Sequence, residues 1–294
     1  MKTVFSADLL RQDVYATGDE LTSIMGRDEG GEDLFVHTFK KPILVTDNYR
    51  ISRLRPTLRD TLFTIFGRIR RTTQYDGVSV YADESHRGVW SPSIDTLLIA
   101  KALRQIFESE VGLKRAIEIG CGSGFLSKYI LEKSHGLESM TVNDISPFAI
   151  KCAQDNIRDQ RAFYVLGDGI EAMKGKKYDL VVCNPPYIPR PSSVEINPYE
   201  GVSILNYLVH HAQDHLNPGG LVVVGMSNLA DCLVFNQPTE LAFEIREQMF
   251  VPLKVNNVLN NPEWLKYLED RNLKKQNLRG YEFWHMIKTI VAKK

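Results

Sequence analysis

The chain has 294 residues, of which 43% are hydrophobic, and a formal net charge of zero, so it is long enough for a catalytic domain with a smaller appendage. The zero net charge excludes a whole-molecule field that would draw the protein to nucleic acid or membrane, and no apolar run is long enough to span a bilayer. An acid at position 8 comes too early for a signal peptide, and four scattered cysteines without a CxxC pair are typical of a reducing compartment, so we expect a cytoplasmic protein without a disulfide framework or a membrane partner.

Residues 1–87 differ in character from the rest of the chain and are predicted to form a smaller N-terminal α+β extension. Apolar residues at helical spacing predict an amphipathic helix over residues 56–71. Two short apolar stretches, Val78–Tyr81 and Gly88–Trp90, predict a β-hairpin. We expect this extension to recognise the substrate or a partner, and the catalytic domain to occupy residues 88–294.

The middle of the extension is strongly basic, because seven arginines fall between Arg50 and Arg71. Guanidinium groups bind the phosphates of RNA and the carboxylates of acidic proteins. The alternative is an outer helix face in contact with solvent. The sequence therefore leaves nucleic-acid contact through Arg50–Arg71 as one of two open interpretations.

The segment Gly88–Leu98 predicts the first helix of the catalytic domain. Ser91 or Ser93 is a suitable N-cap residue, since a serine hydroxyl can accept a hydrogen bond from a free N–H of the first helical turn. From Leu97 onward the apolar residues recur at helical spacing. This helix should therefore pack one face against the core.

Residues Ala116–Leu126 predict a strand, a glycine loop and the start of a helix. The loop sequence, Gly120-Cys121-Gly122-Ser123-Gly124, allows the backbone to turn tightly and to approach a ligand closely. The predicted helix Phe125–Lys133 points its free N–H groups at the same place. A dinucleotide fingerprint would require glycine at Phe125, and Glu118 precedes the loop, so the pattern favours a cofactor without phosphates.

Acidic residues follow the next two predicted strands. Ser139–Asp144 ends in Asp144, at about the distance at which doubly wound folds place a ribose-binding carboxylate. Phe163–Leu166 is followed by Asp168, whose carboxylate would accept a hydrogen bond from the amino group of adenine. Each acid has a simpler role open to it, as a helix cap or a turn residue. The alternation of strands and helices, with acids where strands end, predicts a cofactor site at one edge of a parallel sheet.

The sequence Asn184-Pro185-Pro186-Tyr187 follows a predicted buried strand, Tyr178–Cys183, and should lie at the carboxyl edge of the sheet. The Asn184 amide both donates and accepts hydrogen bonds, whereas Pro185 and Pro186 stiffen the backbone and leave carbonyl groups free to accept. Tyr187 offers a flat ring. Together the four residues suit a planar group with an amino nitrogen, such as an amide or a nucleobase.

A proline-rich loop, residues 188–201, follows this motif and is a natural place for substrate contacts. Arg190 is its best candidate for binding a substrate anion. Further along, His211 and His215 lie one helical turn apart, but no third ligand is evident, so no metal site is expected. Three more elements complete the prediction: a strand at Leu221–Val224 after an Asn217–Gly220 turn, a helix at Pro262–Arg271 and a closing strand at Tyr281–Val291.

Taken together, these motifs resemble those of the class I methyltransferases that use S-adenosylmethionine (SAM), over residues 88–291, and NPPY resembles that of the HemK-like glutamine-N5 enzymes and the adenine-N6 enzymes. The resemblance implies an α/β fold with a Rossmann-like seven-stranded sheet in the order 3-2-1-4-5-7-6, its strand seven antiparallel. It also implies that Glu118 and the glycine loop hold the methionine part of SAM, Asp144 the ribose and Asp168 the adenine. The implied cofactor site further includes Gly120, Cys121, Gly122, Gly124, Ile145, Gly169 and Asn184.

The resemblance implies a catalytic role for Asn184, Pro185, Pro186 and Tyr187. The Asn184 side-chain oxygen and the Pro185 carbonyl would accept hydrogen bonds from the two N–H groups of the nitrogen to be methylated. Tyr187 would stack on the planar group that carries this nitrogen. A delocalised nitrogen is a poor nucleophile, so most of the rate would come from alignment, and no strong base is required. This agrees with the lack of a histidine near the motif in sequence. Thr96 belongs to an acid–Thr pair that HemK-like enzymes place over the cofactor, and we add it to the substrate candidates.

Several acceptors remain open at this stage. The leading one is a protein glutamine, for instance on a translation release factor, as the HemK-like resemblance implies. RNA methylated at adenine N6 or guanine N2 is the alternative that the arginine-rich segment favours. A small-molecule acceptor, or a SAM-binding subunit without catalysis, completes the set. The sequence does not fix the acceptor, the oligomeric state or the need for an activating subunit.

Overall fold

The computed structural model describes residues 36–39, 71–82, 85–86, 88–90, 92–109, 112–194, 201–253, 255–278 and 281–294. The predicted basic helix and the arginines from Arg50 to Arg70 lie outside these residues. Arg71 is the first residue of a strand. Within the described ranges, no helix combines the length and the apolar character that crossing a membrane requires.

The N-terminal part contributes a three-stranded antiparallel sheet with the order β1 (Val36–Phe39), β2 (Arg71–Tyr75) and β3 (Val78–Ala82). Asp76 and Gly77 connect β2 to β3 with φ angles of 49° and 78°, as the common two-residue hairpin turn requires. The predicted pairing of Val78–Tyr81 with Gly88–Trp90 is wrong, because the Asp-Gly turn pairs β3 with the strand before it instead.

The central sheet has eight strands. They are β4 (Arg115–Ile119), β5 (Ser139–Asp144), β6 (Ala162–Leu166), β7 (Tyr178–Cys183), β8 (Leu216–Ser227), β9 (Glu244–Pro252), β10 (Lys274–Leu278) and β11 (Tyr281–Lys293). Seven of them run across the sheet in the order β6-β5-β4-β7-β8-β11-β9, with β4 to β8 parallel and β11 antiparallel to both its neighbours. The predicted α/β class I methyltransferase fold, with its mostly parallel sheet, is confirmed.

The prediction of seven strands is wrong, because β10 is an additional strand. Trp284 of β11 pairs with Lys274 of β10 and with Pro252 of β9, so these two strands lie on opposite edges of β11. The start of β11 extends beyond the last residue of β8, Ser227, and β10 continues that edge. The predicted turn at Asn217–Gly220 instead falls inside β8, near its start, where the pairing with β7 shifts register.

Eight helices of the described residues pack around the sheet: α1 (Ile94–Ser109), α2 (Phe125–Lys133), α3 (Pro147–Asn156), α4 (Gly169–Met173), α5 (Ser203–His211), α6 (Asp231–Val234), α7 (Asn256–Leu259) and α8 (Pro262–Glu269). One buried cluster joins α1 to α3 to the sheet, and a second joins α4 to α6 to it. The middle of β7 is fully buried, as expected for a parallel strand between two helix layers.

The small sheet shares the first cluster, since Tyr75, Val78 and Val80 are buried in it. Polar contacts add to this packing. The side-chain amide of Asn156 in α3 accepts from the backbone N–H of Tyr81 (2.9 Å) and donates to the Tyr81 carbonyl (2.8 Å). The described part of the N-terminal segment is thus packed on the helices that follow the glycine loop.

Candidate active site

The glycine loop has the close backbone contacts that require glycine. A Cβ atom at Gly122, where φ is 52°, would lie 2.9 Å from the Trp90 carbonyl oxygen. A Cβ at Gly124 would lie 2.9 Å from the Cβ of Ala153 in α3. At Gly120, by contrast, a Cβ would meet nothing within 4 Å. The loop is therefore fixed by its neighbours on two sides and open on the side of Gly120.

Glu118 lies beneath this loop and contacts the first turn of α2. Its Oε2 accepts a hydrogen bond from the backbone N–H of Ser127 (2.8 Å) and another from the Ser127 hydroxyl. Burial raises the pKa of Glu118 from 4.5 to about 8, although the two hydrogen bonds act in the opposite direction. The described partners of this predicted cofactor residue thus orient the helix that begins at the loop.

The raised pKa of Glu118 makes a prediction about stability and pH. Between pH 4.5 and about 8 the folded state binds more protons at this carboxyl than the unfolded state, so the free energy of unfolding falls as pH rises through this window. Glutamine cannot ionise. We therefore expect the free energy of unfolding of Glu118→Gln, relative to that of the wild type, to rise by a few kcal/mol at most as pH increases from 4.5 to about 8. Urea titrations at several pH values measure the difference. Glu138→Gln at the surface is the control. If the difference in free energy of unfolding between Glu118→Gln and the wild type does not change with pH, the pKa of Glu118 is not raised.

Asp144 connects the end of β5 to the glycine loop. Its Oδ2 accepts from the backbone N–H of Gly122 (2.9 Å), and its Oδ1 accepts from that of Ser146 (2.8 Å). Each carboxylate oxygen has two lone pairs, so both can still accept a further donor. The neighbouring Asn143, which the sequence prediction did not include, donates from Nδ2 to the carbonyls of Val165 in β6 and of Gly167 after it (3.0 Å each).

Asp168 takes the helix-cap role that the sequence left open. Its Oδ1 accepts from the backbone N–H groups of Ile170 (2.8 Å) and Glu171 (3.1 Å) at the start of α4. Oδ2 of Asp168 makes no hydrogen bond within the described part of the chain. Gly169 is required by packing, because a Cβ there would lie 2.3 Å from the Cγ2 of Ile119.

Apolar side chains accompany these two acids. Ile145, directly after Asp144, is 68% exposed, and Leu166, two residues before Asp168, is 56% exposed. Cys121 of the loop is buried, and burial raises the pKa of its thiol well above the usual range. An edge with carboxylate acceptors, exposed aliphatic groups and an open glycine fits a nucleoside with an amino-acid tail, which is the structure of SAM.

Asn184 follows β7 at the same edge of the sheet. Its Nδ2 donates to Oγ1 of Thr96 in α1 (3.0 Å). Its Oδ1 is buried and has no hydrogen-bond partner among the described residues. A Cβ at Gly225 of β8 would lie 2.7 Å from that oxygen, so only glycine at 225 leaves room for it. An unpaired buried acceptor costs about 1–3 kcal/mol, which a donor on a bound ligand would recover.

Tyr187 is bound to the N-terminus of α1. Its hydroxyl donates to Oδ2 of Asp95 (2.8 Å), while Oδ1 of Asp95 accepts from the backbone N–H of Thr96 (2.8 Å) and from the Ser93 hydroxyl. Burial raises the pKa of Tyr187 well above its usual range, so the phenol stays a donor. Asp95 was not among the predicted site residues, although the acid–Thr pair at the helix start was a signal for it.

The contact between Thr96 and Asn184 allows a second prediction. Thr96→Val keeps the shape of the side chain and removes the acceptor for the Asn184 amide. We expect kcat to fall about tenfold, because the amide is no longer held in one orientation, and SAM affinity to change less than about twofold. Thr289→Val is the matched control, since its buried Oγ1 has no partner within the described chain. Equal kinetics for the two variants would show that the orientation of Asn184 does not depend on Thr96.

A histidine lies beside Tyr187, contrary to the expectation from the sequence. The His285 ring is 6.4 Å from the Tyr187 ring, and its Nδ1 is 2.8 Å from Oγ of Ser227. Burial lowers the pKa of His285 from 6.5 to about 4, so the imidazole is neutral at physiological pH. Sequence reasoning missed it because β11 comes late in the chain and meets NPPY only in the folded protein.

The loop after NPPY begins in ordered contacts. Ile188 is buried, and its carbonyl accepts from the backbone N–H of Gly201 (2.9 Å), which closes the base of the loop. Arg190 is half-buried and already engaged with a partner. Residues 195–200 are outside the described part. Substrate contacts by Arg190 and Thr96 thus stay predictions.

Comparisons with known proteins agree with the geometry. The sequence profile described as methyltransferase small domain matches residues 84–237. A Methanocaldococcus jannaschii protein assigned as a protein N5-glutamine methyltransferase is 28% identical over 189 residues, which is 60% of this chain and 92% of the relative. The release factor glutamine methyltransferase of Geobacter sulfurreducens is 28% identical, over 69% of this chain and 73% of that enzyme. The ribosomal protein uL3 glutamine methyltransferase of Neisseria meningitidis is 24% identical, over 71% of this chain and 77% of that enzyme.

Proposed function

This chain belongs to the methyltransferase small domain family, and on that premise we propose that it transfers a methyl group from SAM to the side-chain nitrogen of a glutamine in a protein. It is a SAM-dependent methyltransferase, and the proposal concerns its acceptor. The names of its relatives, which specify a release factor and ribosomal protein uL3, support a protein glutamine. A translation factor or ribosomal protein is accordingly the proposed partner.

The observation that carries the proposal is the unpaired oxygen of Asn184 at the carboxyl edge of the sheet. A primary amide has two N–H bonds and needs two acceptors when it leaves water. The Asn184 oxygen and the carbonyl of Pro185, the next residue, are the acceptors that we propose. Neither proline at 185 or 186 has an N–H that would compete with the acceptor nitrogen.

When bound, SAM supplies an electrophilic methyl group on a sulfonium. The residues of this chain would act by orientation: Asp144 and Asp168 on the nucleoside, and Asn184 on the acceptor nitrogen. The carbon–sulfur bond of SAM would break as the new carbon–nitrogen bond forms, and the nitrogen would then lose one proton to water. The two acceptors favour tetrahedral character at nitrogen during the transfer, and alignment of the reacting atoms supplies most of the acceleration.

Tyr187 completes the acceptor site in this proposal. Its ring would stack on the planar amide, while its hydroxyl stays bound to Asp95. Stacking of a planar group on an aromatic ring contributes about 1–3 kcal/mol in nucleic-acid complexes, and we expect less for a smaller amide. The hydrogen bond to Asp95 fixes the ring before the acceptor arrives, so little ordering is needed on binding.

Labelling with methyl-labelled SAM tests the proposal. The protein is incubated with a release factor, with ribosomal protein uL3 and with total RNA, and each product is digested with protease or RNase. We expect the label to survive RNase, to be lost with protease and to be found by mass spectrometry on one glutamine. Label that is lost with RNase would contradict the proposal and establish RNA as the acceptor. A catalytically impaired variant, Asn184→Ala, is the control for contaminating activities.

A further inference from the structure

The segment between β9 and β10, residues 255–273, is a helical insertion that contains α7 and α8. The family profile matches residues 84–237 and does not reach this segment. Its sequence provides its own helix start: Oδ1 of Asn261 accepts from the backbone N–H of Trp264 (3.0 Å), and Pro262 occupies the first turn. The insertion is thus a defined element.

The helical insertion packs against the loop that follows NPPY. Trp264 and Leu268 of α8 are buried in a third cluster, at 1% and 0% exposure, together with Ile188 of the loop. Tyr187 and Val194 are half-buried against the same cluster. We call residues 188–194 the acceptor loop. The packing joins the helical insertion to both ends of the acceptor loop and to the Tyr187 ring.

A buried hydrogen bond makes the contact directional. The indole N–H of Trp264 donates to the carbonyl of Pro189 in the acceptor loop, with Nε1 and oxygen 2.7 Å apart. At the surface, the hydroxyl of Ser193 donates to Oε1 of Glu263 (2.7 Å). A proline-rich loop has few N–H groups with which to satisfy its own carbonyls, so donors from outside determine its conformation.

We infer that the helical insertion forms one wall of the acceptor site, and that Trp264 is the positioning residue that holds the acceptor loop beside Tyr187. The inference rests on the proposed function in placing the acceptor next to Tyr187. The glycine loop and the neighbouring strand ends would then supply the cofactor site, while the helical insertion selects which glutamine-bearing surface fits beside NPPY.

Loss of the Trp264 indole donor should affect binding of the methyl acceptor but not binding of SAM. Without the indole donor, the Pro189 carbonyl is buried and unpaired, and the acceptor loop should move towards water to satisfy it. Apart from Asn184, the proposed cofactor residues lie at the ends of β4, β5 and β6 or directly after them, and none of them belongs to the third cluster. Acceptor binding should therefore change and cofactor binding should not.

Trp264→Phe tests the inference, because it keeps a large aromatic ring and removes the N–H. We expect KM for the methylated protein to rise about tenfold, with kcat and the Kd of SAM within about twofold. Amide hydrogen exchange in residues 188–194 should become about tenfold faster, and this readout needs no acceptor. Trp284→Phe is the matched control: its buried indole donates to the Tyr281 carbonyl (3.2 Å), within its own strand and in the first cluster. The control should leave both readouts unchanged.

Two results would overturn the inference. One is a Trp264→Phe protein whose KM and loop exchange equal those of Trp284→Phe. The other is a parallel loss of acceptor affinity, SAM affinity and melting temperature, which a merely structural tryptophan would produce. If Trp264→Phe does not fold, Ser193→Ala decides, since faster exchange confined to the acceptor loop is then required. If the wild type methylates no protein, the proposed function fails, and the exchange comparison alone decides the role of Trp264.

Discussion

Replacing Asn184 with alanine is expected to lower kcat for methyl transfer by about two to three orders of magnitude, a loss typical of removing one well-placed polar group from a transition state. The Kd of SAM should stay within about threefold, because the proposed hydrogen bond of the Asn184 oxygen is to the glutamine nitrogen, although the resemblance also places Asn184 in the cofactor site. Alanine removes the unpaired buried oxygen and the amide that donates to Thr96. The glutamine nitrogen that receives the methyl group then keeps one hydrogen-bond acceptor, the Pro185 carbonyl. It is therefore no longer held in one orientation.

Asn184→Asp provides the sharper version of this experiment. It keeps an acceptor oxygen and the size of the side chain, but it introduces a carboxylate in place of the Nδ2 donor to Thr96. We expect partial activity, between wild type and alanine. Single-turnover rates with saturating SAM measure both variants, and calorimetric titration with S-adenosylhomocysteine checks the cofactor site. Full activity in the alanine variant would remove Asn184 from the catalytic residues.

Replacing Asp144 with alanine is expected to weaken SAM binding by about 10- to 100-fold, since hydrogen bonds to a charged group contribute about 1.5–3 kcal/mol each. Two effects should combine. The proposed acceptor for the ribose hydroxyls disappears, and the backbone N–H of Gly122 loses the partner that holds the glycine loop. The turnover rate at saturating SAM should fall much less than the affinity.

Asp144→Asn separates the two effects, because the amide oxygen can still accept from Gly122 while the charge is lost. We expect an intermediate Kd. Asp159→Ala is the control, since that acid pairs with Arg161 at the surface. Calorimetric titration measures the affinities, and thermal melting without cofactor reports any general loss of stability. An Asp144→Ala protein that binds SAM as tightly as Asp159→Ala would contradict the ribose assignment.

The part of the site that the sequence could predict is the part in which the candidate residues end a strand or directly follow one. The glycine loop, Asp144, Asp168 and NPPY each follow an apolar run, and the carboxyl ends of parallel strands meet at one edge. Helix α2 spans Phe125–Lys133, as predicted: it begins directly after the glycine loop and ends before Ser134, whose backbone N–H donates to the Ile130 carbonyl. Local sequence was sufficient for these elements.

The features that were missed depend on pairing between distant segments. Asp95 reaches the site through its hydrogen bond with Tyr187, and His285 lies beside the same ring from the last strand. Strand β10 exists because an edge of β11 is available to it, which no local pattern indicates. The Asp76-Gly77 turn is the exception, because this dipeptide is a strong local hairpin signal that the predicted pairing of Val78–Tyr81 with Gly88–Trp90 does not use.

We propose that a SAM-derived nucleoside and the Asn184 amide occupy one crevice at the carboxyl edge of the sheet. A crystal structure with S-adenosylhomocysteine and a glutamine-containing acceptor peptide tests it most directly. We predict that the ribose lies on Asp144, the adenine reaches Asp168, and Oδ1 of Asn184 accepts from the glutamine nitrogen. A nucleoside bound elsewhere, or an Asn184 oxygen still packed against Gly225 with the glutamine out of reach, would contradict the account.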